Sequence, residues 1–392
     1  PADQRHHKKR DELYPRQNFF LFFHSLSKTY FFQLGQFPEI SLREITSVFP
    51  NFVPILRPRP DLSLFSGKEV VDPQAVFDTL GGVLRMGEVF AECSSREVST
   101  TIVKFLCETI PEGKLQFGIS GISLDPTLLK KTLSECKRQL KSRGRSVRFL
   151  NRNFRNLDAG TLHREKVFLK KAGAEIFIGK KGNGVFLART LAAQKVEEFA
   201  KRDFGKPVRD MHVGMLPPKL ALMLVNFSRE KGKLPMAIWD PFCGTGTILI
   251  EAKRLHIKTT GSDISPKMIN GAQTNFLHFF GTNGSFFAHD ATRKFQMSDF
   301  SLNCPNAIVS EGFLGPIFHR PVSPKDLLQA KKIVEPIYEG FFQQIQHQKM
   351  FQKIVICLPF WKMQNGRDEF CEKALALARK FWKDVSAEKG KK

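Results

Sequence analysis

The string Asp240-Pro241-Phe242-Cys243-Gly244-Thr245-Gly246-Thr247 constrains this chain more than any other. A short apolar run, Met236 to Trp239, precedes it, and a helical pattern, Ile248 to Leu255, follows. The context reads as strand, glycine turn, helix. Glycine at 244 and 246 permits a positive φ and keeps side chains out of a ligand's path. A small molecule carrying carboxylate and ribose groups can then lie against the turn and the N–H groups that open the helix. No third glycine stands at dinucleotide spacing and no Gly-Lys-Ser/Thr follows, so neither a nicotinamide fingerprint nor a P-loop is matched. The plainer alternative is an ordinary glycine-rich turn between strand and helix.

The surroundings of this turn are regular. From residue 205 onward strand patterns fall at 236–240, 257–262, 284–288, 306–310 and 352–358. Helical patterns fall between them, at 217–229, 247–255, 265–280, 325–347 and 366–382. Such alternation predicts a parallel, doubly wound α/β sheet with ligands at the carboxyl ends of its strands. The earlier part is less regular. Strand patterns at 18–23, 30–34, 115–119, 174–178 and 184–188 mix with a helix expected at 126–142, which makes a small α+β region. Ser41 and Glu44 read as a capping box opening a helix to Val48. Pro54, Pro58 and Pro60 read as a connector.

At 392 residues the chain has room for two or three domains. The expected division is a flexible tail at 1–16, a small domain at 17–84, a second at 85–192, a linker at 193–212 and the parallel sheet at 213–392. The seven cysteines are scattered without a CxxC pair, which argues for reduced thiols and against a zinc site. No metal is expected. No apolar run reaches membrane-spanning length, and residues 1–16 lack the apolar centre of a signal peptide. These readings together place the chain in the cytoplasm, away from membranes.

Charge points to a polyanionic partner, since the formal net charge is +23. One stretch concentrates it. Lys137, Arg138, Lys141, Arg143, Arg145, Arg148, Arg152 and Arg155 follow one another with no acid among residues 137–155. Spaced Lys and Arg suit the tracking of nucleic-acid phosphates, although a solvated helix face has the same composition.

Inside the parallel-sheet region, carboxylates stand at the ends of successive strands. Asp263 closes the second and can accept both hydroxyls of a ribose, or cap the helix beginning near Ser265, or do both. Asp290 follows the third and is placed for an adenine amine, or for a loop cap of the Asx kind. Pro217, just after Gly214, stands at a helix start, which is good local chemistry on its own. The fourth strand ends in Ser310-Glu311-Gly312-Phe313-Leu314. A carboxylate, a backbone carbonyl and an aromatic face are what an exocyclic amine needs in order to be held and stacked. A loop without catalytic geometry is the alternative.

The eight-residue string resembles motif I of class I S-adenosylmethionine methyltransferases, in the Asp-Pro-Phe-x-Gly-x-Gly form of enzymes that methylate exocyclic amines. Taken with Gly261-Ser262-Asp263-Ile264-Ser265 and His289-Asp290-Ala291, the chain resembles the THUMP-domain RNA methyltransferases, in particular the tRNA guanosine N2-methyltransferases that act at position ten. Further resemblance lies in Tyr30 to Phe49, in Ser146-Val147-Arg148-Phe149, in Lys201 to Asp210 and in Gly214 to Ala221. The resemblance implies a class I methyltransferase sheet preceded by a ferredoxin-like segment and a THUMP RNA-binding domain. It implies S-adenosylmethionine as cofactor, held by Pro217, Asp240, Phe242, Gly244, Gly246, Asp263, Ile264 and Asp290. It implies Glu311, Gly312 and Phe313 around the target guanine, and tRNA gripped through Arg138, Lys141, Arg143, Arg145, Arg148 and Arg152. No activating partner is indicated.

Two departures bear on activity. Members of that family carry Asp/Asn-Pro-Pro-Tyr/Phe where this chain has Glu311-Gly312-Phe313-Leu314, so the acceptor peptide has lost two prolines. The sequence pattern also shows no antiparallel hairpin after the fifth helix, which leads to the expectation of a fragment or a C-terminal truncation. An RNA-binding homologue that has lost methyl transfer is the rival from another class. A methyltransferase for DNA amines is the rival within the enzyme class.

Overall fold

The computed structural model describes residues 27–122, 124–165, 167–168, 173–209, 215–300 and 304–382. The tail and the strand expected at 18–23 lie outside the described residues, as does Gly214.

Eight strands make the first sheet: β1 (Lys28–Leu34), β2 (Val53–Arg59), β3 (Leu62–Gly67), β4 (Val83–Cys93), β5 (Leu115–Ser120), β6 (Val147–Phe149), β7 (Gly173–Lys181) and β8 (Gly184–Ala193). Their order is β2-β3-β1-β4-β8-β7-β5-β6. β5 runs parallel to β6 and β7, and the other ladders are antiparallel. β4 spans the expected border at 84/85 and pairs with β1 on one side and β8 on the other, so both segments share one ladder. Val83 and Met86 are the reason on the β4 side. Both are fully buried and pack with Tyr30, Phe32 and Phe65 in one core.

Three local expectations for this part are corrected. The helix there spans Pro38–Val48 and starts with proline in its first turn, with no side-chain cap. Ser41 and Glu44 are therefore interior and do not form a capping box. Ser41 Oγ donates to the carbonyls of Phe37 and Gly82, both at 2.8 Å. The Glu44 carboxylate accepts from the N–H groups of Gly81 and Gly82 and, at 2.7 Å, from Asn226 Nδ2. That last bond ties the first sheet to the helix Pro218–Phe227. The proline-rich connector is strand β2, an edge strand, where a residue without an N–H is tolerated. In the expected helix at 126–142, Asp125 accepts from Leu128 N at 2.8 Å, and Leu129, Leu133 and Leu140 are buried as its spacing requires. Leu128, expected on the same apolar face, is 44% exposed.

The second sheet is wholly parallel: β9 (Ala237–Asp240), β10 (Lys258–Asp263), β11 (Ser285–Ala288), β12 (Ala307–Ser310) and β13 (Lys353–Ile356). Its order, β11-β10-β9-β12-β13, reverses direction between β9 and β12. Alternate residues of β9 and β12 feed opposite cores. Trp239 and Ile308 pack with Val334, Tyr338 and Phe341, whereas Ile238 and Val309 pack with Ala221, Val225 and Leu249. Both faces are thus covered, which is why these strands read as continuous apolar runs.

The helix expected at 366–382 is a further correction. It spans only Glu372–Phe381, and Asp368–Phe370 is a strand. This strand, β15, pairs with β14 (Phe360–Lys362) as an antiparallel hairpin apart from the parallel sheet. This hairpin precedes the last helix, and residues 383–392 beyond that helix lie outside the described residues.

Candidate active site

Ligands of doubly wound sheets settle at the carboxyl ends of the strands, in the crevice where the order reverses. Here that crevice lies between the ends of β9 and β12, at Asp240 and Ser310. The turn after β9 bends sharply, with φ of +50° at Gly244 and +85° at Gly246, the residue that begins the helix Thr247–Arg254. Among the described residues, a Cβ at Gly244 would meet nothing within 4 Å, so open space lies against this corner.

Asp240 is 2% exposed. Its carboxylate accepts from Phe242 N at 3.1 Å and is hydrogen-bonded by the Ser310 hydroxyl. Burial pushes it up to about 7; those two bonds oppose the rise, and the charges of Asp263 and Glu311 add to it. Asp263 accepts from Gly244 N at 3.0 Å through one oxygen and from Ser265 N at 2.9 Å through the other. Each oxygen keeps a second lone pair for a diol. Asp263 thus braces the corner and starts the next helix while remaining only half-buried. Ile264 beside it is 71% exposed.

Asp290 accepts from Thr292 N at 3.0 Å and Thr292 Oγ1 at 2.7 Å, and these bonds hold its carboxyl below the usual range. The loop-cap arrangement is therefore formed. Neighbouring His289 has a buried Nε2 with no partner among the described residues. Pro217 is exposed, and its carbonyl accepts the first helical bond from Ala221 N.

The acceptor loop leaves β12 beside the corner. Gly312 N donates to Ser310 Oγ at 3.0 Å, which continues the chain of bonds toward Asp240. Gly312 has φ +72°. Burial raises the Glu311 carboxyl above its ordinary range. Phe313 packs on the core that contains Trp239 and Tyr338. Glu311, Gly312 and Phe313 thus follow the strand that pairs with the one leading into the glycine corner. The donor set fits a nucleoside with a cationic arm: an open glycine cradle, a ribose-type carboxylate and a buried carboxylate near the corner.

Three functional candidates escaped the sequence reading. Lys206, in the expected linker, is 4% exposed and donates to Thr247 Oγ1 at 2.6 Å, at the start of the helix behind the corner. Asn275 is fully buried; its Nδ2 donates to Thr245 O and Val208 O, and its Oδ1 accepts from Val208 N. Tyr338 hydrogen-bonds the acceptor loop. Each acts across a long sequence separation, which no local pattern records.

The basic stretch is largely engaged within the protein. Arg138 is bidentate with Glu135, and Arg148 and Arg152 both face Glu165. Arg145 donates to the carbonyl of Pro111 at 2.8 Å, and Arg143 contacts Cys107. Lys141 is exposed.

Sheet order, glycine corner and strand-end carboxylates define a doubly wound α/β fold with its ligand crevice at the switch point, here joined to a large mixed sheet. Residues 208–295 match the family model described as RMKL-like, methyltransferase domain. Over 106 residues the chain is 38% identical to the tRNA (guanine(10)-N2)-dimethyltransferase of Methanothermobacter thermautotrophicus, covering 27% of this chain and 30% of that protein. It is 38% identical over 81 residues to the enzyme of the same name from Pyrococcus abyssi, 21% of each chain. The chain therefore matches less than a third of the length of these two relatives. TrmN from Thermus thermophilus aligns with 84% of this chain and 86% of its own, at 15% identity and a TM-score of 0.43.

Proposed function

We propose that this chain is an S-adenosylmethionine-dependent tRNA methyltransferase acting on the exocyclic N2 amine of a guanosine. The observation that carries the reading is the placement of the open glycine corner and the Glu311–Phe313 loop at one switch point. The family match over 208–295 and the names of the two relatives support the reaction class and the substrate.

S-Adenosylmethionine supplies a sulfonium methyl. The chain's own residues bind and aim. Asp240, Phe242, Gly244 and Gly246 line the amino-acid end, Asp263 takes the ribose hydroxyls, and Pro217, Ile264 and Asp290 border the base. Glu311 and the Gly312 carbonyl accept the two N–H bonds of the amine, which frees its lone pair from the ring. Phe313 supplies a stacking face. Positioning and placed acceptors carry the rate, with no covalent enzyme intermediate.

The mixed sheet, with a ferredoxin-like first segment and a THUMP-like second segment, is the RNA-binding region. Lys141 and Arg143 are its most available contacts, while Arg138, Arg145, Arg148 and Arg152 also hold the fold. Among the described residues no helix is long and apolar enough to cross a membrane. We assign the activity to the cytoplasm, where its tRNA substrate would be met.

The test is incubation with labelled cofactor and total tRNA, followed by nucleoside mass analysis. N2-methylguanosine is expected. Retained cofactor with no methyl in any RNA would replace this reading with that of an RNA-binding homologue.

A further inference from the structure

We propose that Tyr338 is a positioning residue whose hydroxyl staples the acceptor loop to the end of β13 and so fixes where Glu311, Gly312 and Phe313 stand. Tyr338 is fully buried on the helix Pro324–Ile345. Its Oη lies 3.2 Å from Phe313 O and 3.0 Å from Cys357 O, with its one hydrogen shared between them. These carbonyls belong to the loops that leave the adjacent strands β12 and β13. One phenol therefore joins the two loops on either side of the acceptor pocket.

Gly312 admits this hydroxyl. A Cβ at 312 would come 2.4 Å from Tyr338 Oη, closer than atoms can stand, and φ there is +72°. The glycine and the tyrosine form one device. On the other side of the loop, Ser310 Oγ receives Gly312 N and hydrogen-bonds Asp240. The Tyr338 ring also meets Phe242 of the glycine corner, with centroids 6.4 Å apart. The staple thus touches both halves of the site. The related motif is stiffened by two prolines that this chain lacks. Hydrogen bonds across space supply the constraint that ring closure gives there. Without the phenol, two part-buried carbonyls lose the donor they share, so the loop gains a reason to shift.

The kinetic arm of the test rests on the methyl-transfer reading; the exchange arm does not. Tyr338→Phe keeps the ring and removes only the hydroxyl. Amides of residues 311–318 should exchange with deuterium roughly tenfold faster, because local opening becomes easier. In single-turnover transfer kcat should fall about ten- to a hundredfold, as a misplacement near 1 Å does, with KM for RNA and cofactor affinity unchanged. Gly312→Ala should act on the same contact, so its effect should be smaller in the Tyr338→Phe background than in the parent.

Unchanged exchange and unchanged kcat overturn the staple, and so do strictly additive effects of the two substitutions. If the parent protein transfers no methyl to any RNA, the proposed function falls. The exchange measurement then decides alone, and protection equal to the parent's overturns the staple.

Discussion

Arg202 and Glu251 form an ion pair sealed from water: Nε stands 2.6 Å from Oε1, and the two residues are 6% and 0% exposed. Arg202 lies on the helix Val196–Phe204, and Glu251 on the helix that starts at the glycine corner. Arg254 takes the second oxygen of Glu251 at 2.9 Å. Removing Arg202 leaves a buried carboxylate half-compensated. Arg202→Met should therefore cost about 3 kcal/mol in urea unfolding, and the pair Arg202→Met with Glu251→Leu should recover most of it. An equal loss in both variants would show that packing, not charge, is at stake.

Asp240 should make cofactor affinity depend on pH. Its folded value of about 7 lies above the ordinary 3.8. Between those values the free folded protein holds a proton that the unfolded chain has released. The stability from this group is therefore fully present below about pH 4 and is lost as pH rises toward 7. A sulfonium ligand prefers the ionised carboxylate, so its affinity should climb through pH 7, while the neutral thioether product should show a flatter profile. Calorimetry with both ligands reads the difference, and Asp240→Asn should abolish it.

Gly244→Ala separates binding from folding. The residue has φ +50° and space in front of it. The backbone penalty is about 1–2 kcal/mol. The methyl points into the space assigned to the cofactor under the proposed function, so affinity should fall roughly tenfold or more while the melting curve stays cooperative. Undiminished affinity would move the cofactor elsewhere.

Glu311→Gln removes the charged acceptor and keeps its shape. Turnover should drop roughly 10²- to 10³-fold, the usual loss for one placed electrostatic group. Cofactor affinity should hold. Because burial raises this carboxyl, the parent's turnover should rise with pH on a limb above the usual carboxylate range.

Lys141→Ala should weaken RNA binding across sequences and lower the salt slope by about one. Arg145→Ala should instead free the carbonyls at 111–113 and loosen the fold locally. Filter binding at several salt concentrations, beside thermal melts, distinguishes the two.

The parallel sheet was legible because two signals agreed: short apolar runs at β9, β11, β12 and β13 alternating with helical patterns, and aspartate closing β9 and β10. All five parallel strands lie within a few residues of where the pattern puts them. The mixed sheet was less so. β2 carries prolines that argue against a strand unless it is known to be at an edge. Outside that sheet, β14 and β15 have three residues each, too short for a period to show. Ser41 and Glu44 had the spacing of a cap but serve distant backbone. The placement of Asp240, Gly244, Gly246 and Asp263 around the turn could be read because it follows from a local pattern. Tyr338, Asn275 and Lys206 could not, since their partners are settled only by tertiary packing.

The unbroken ladder from β2 to β6 has a mechanical result. Bending the amino-terminal half between its two segments would mean tearing main-chain bonds, so the half behaves as a plank, and Glu44 bolts it to the helix Pro218–Phe227 through Asn226. A nucleic acid resting on the far end of such a plank meets a reach set by construction. Under the proposed function, such a plank would set which nucleotide reaches the crevice as a caliper chooses a gauge, by span instead of by letter.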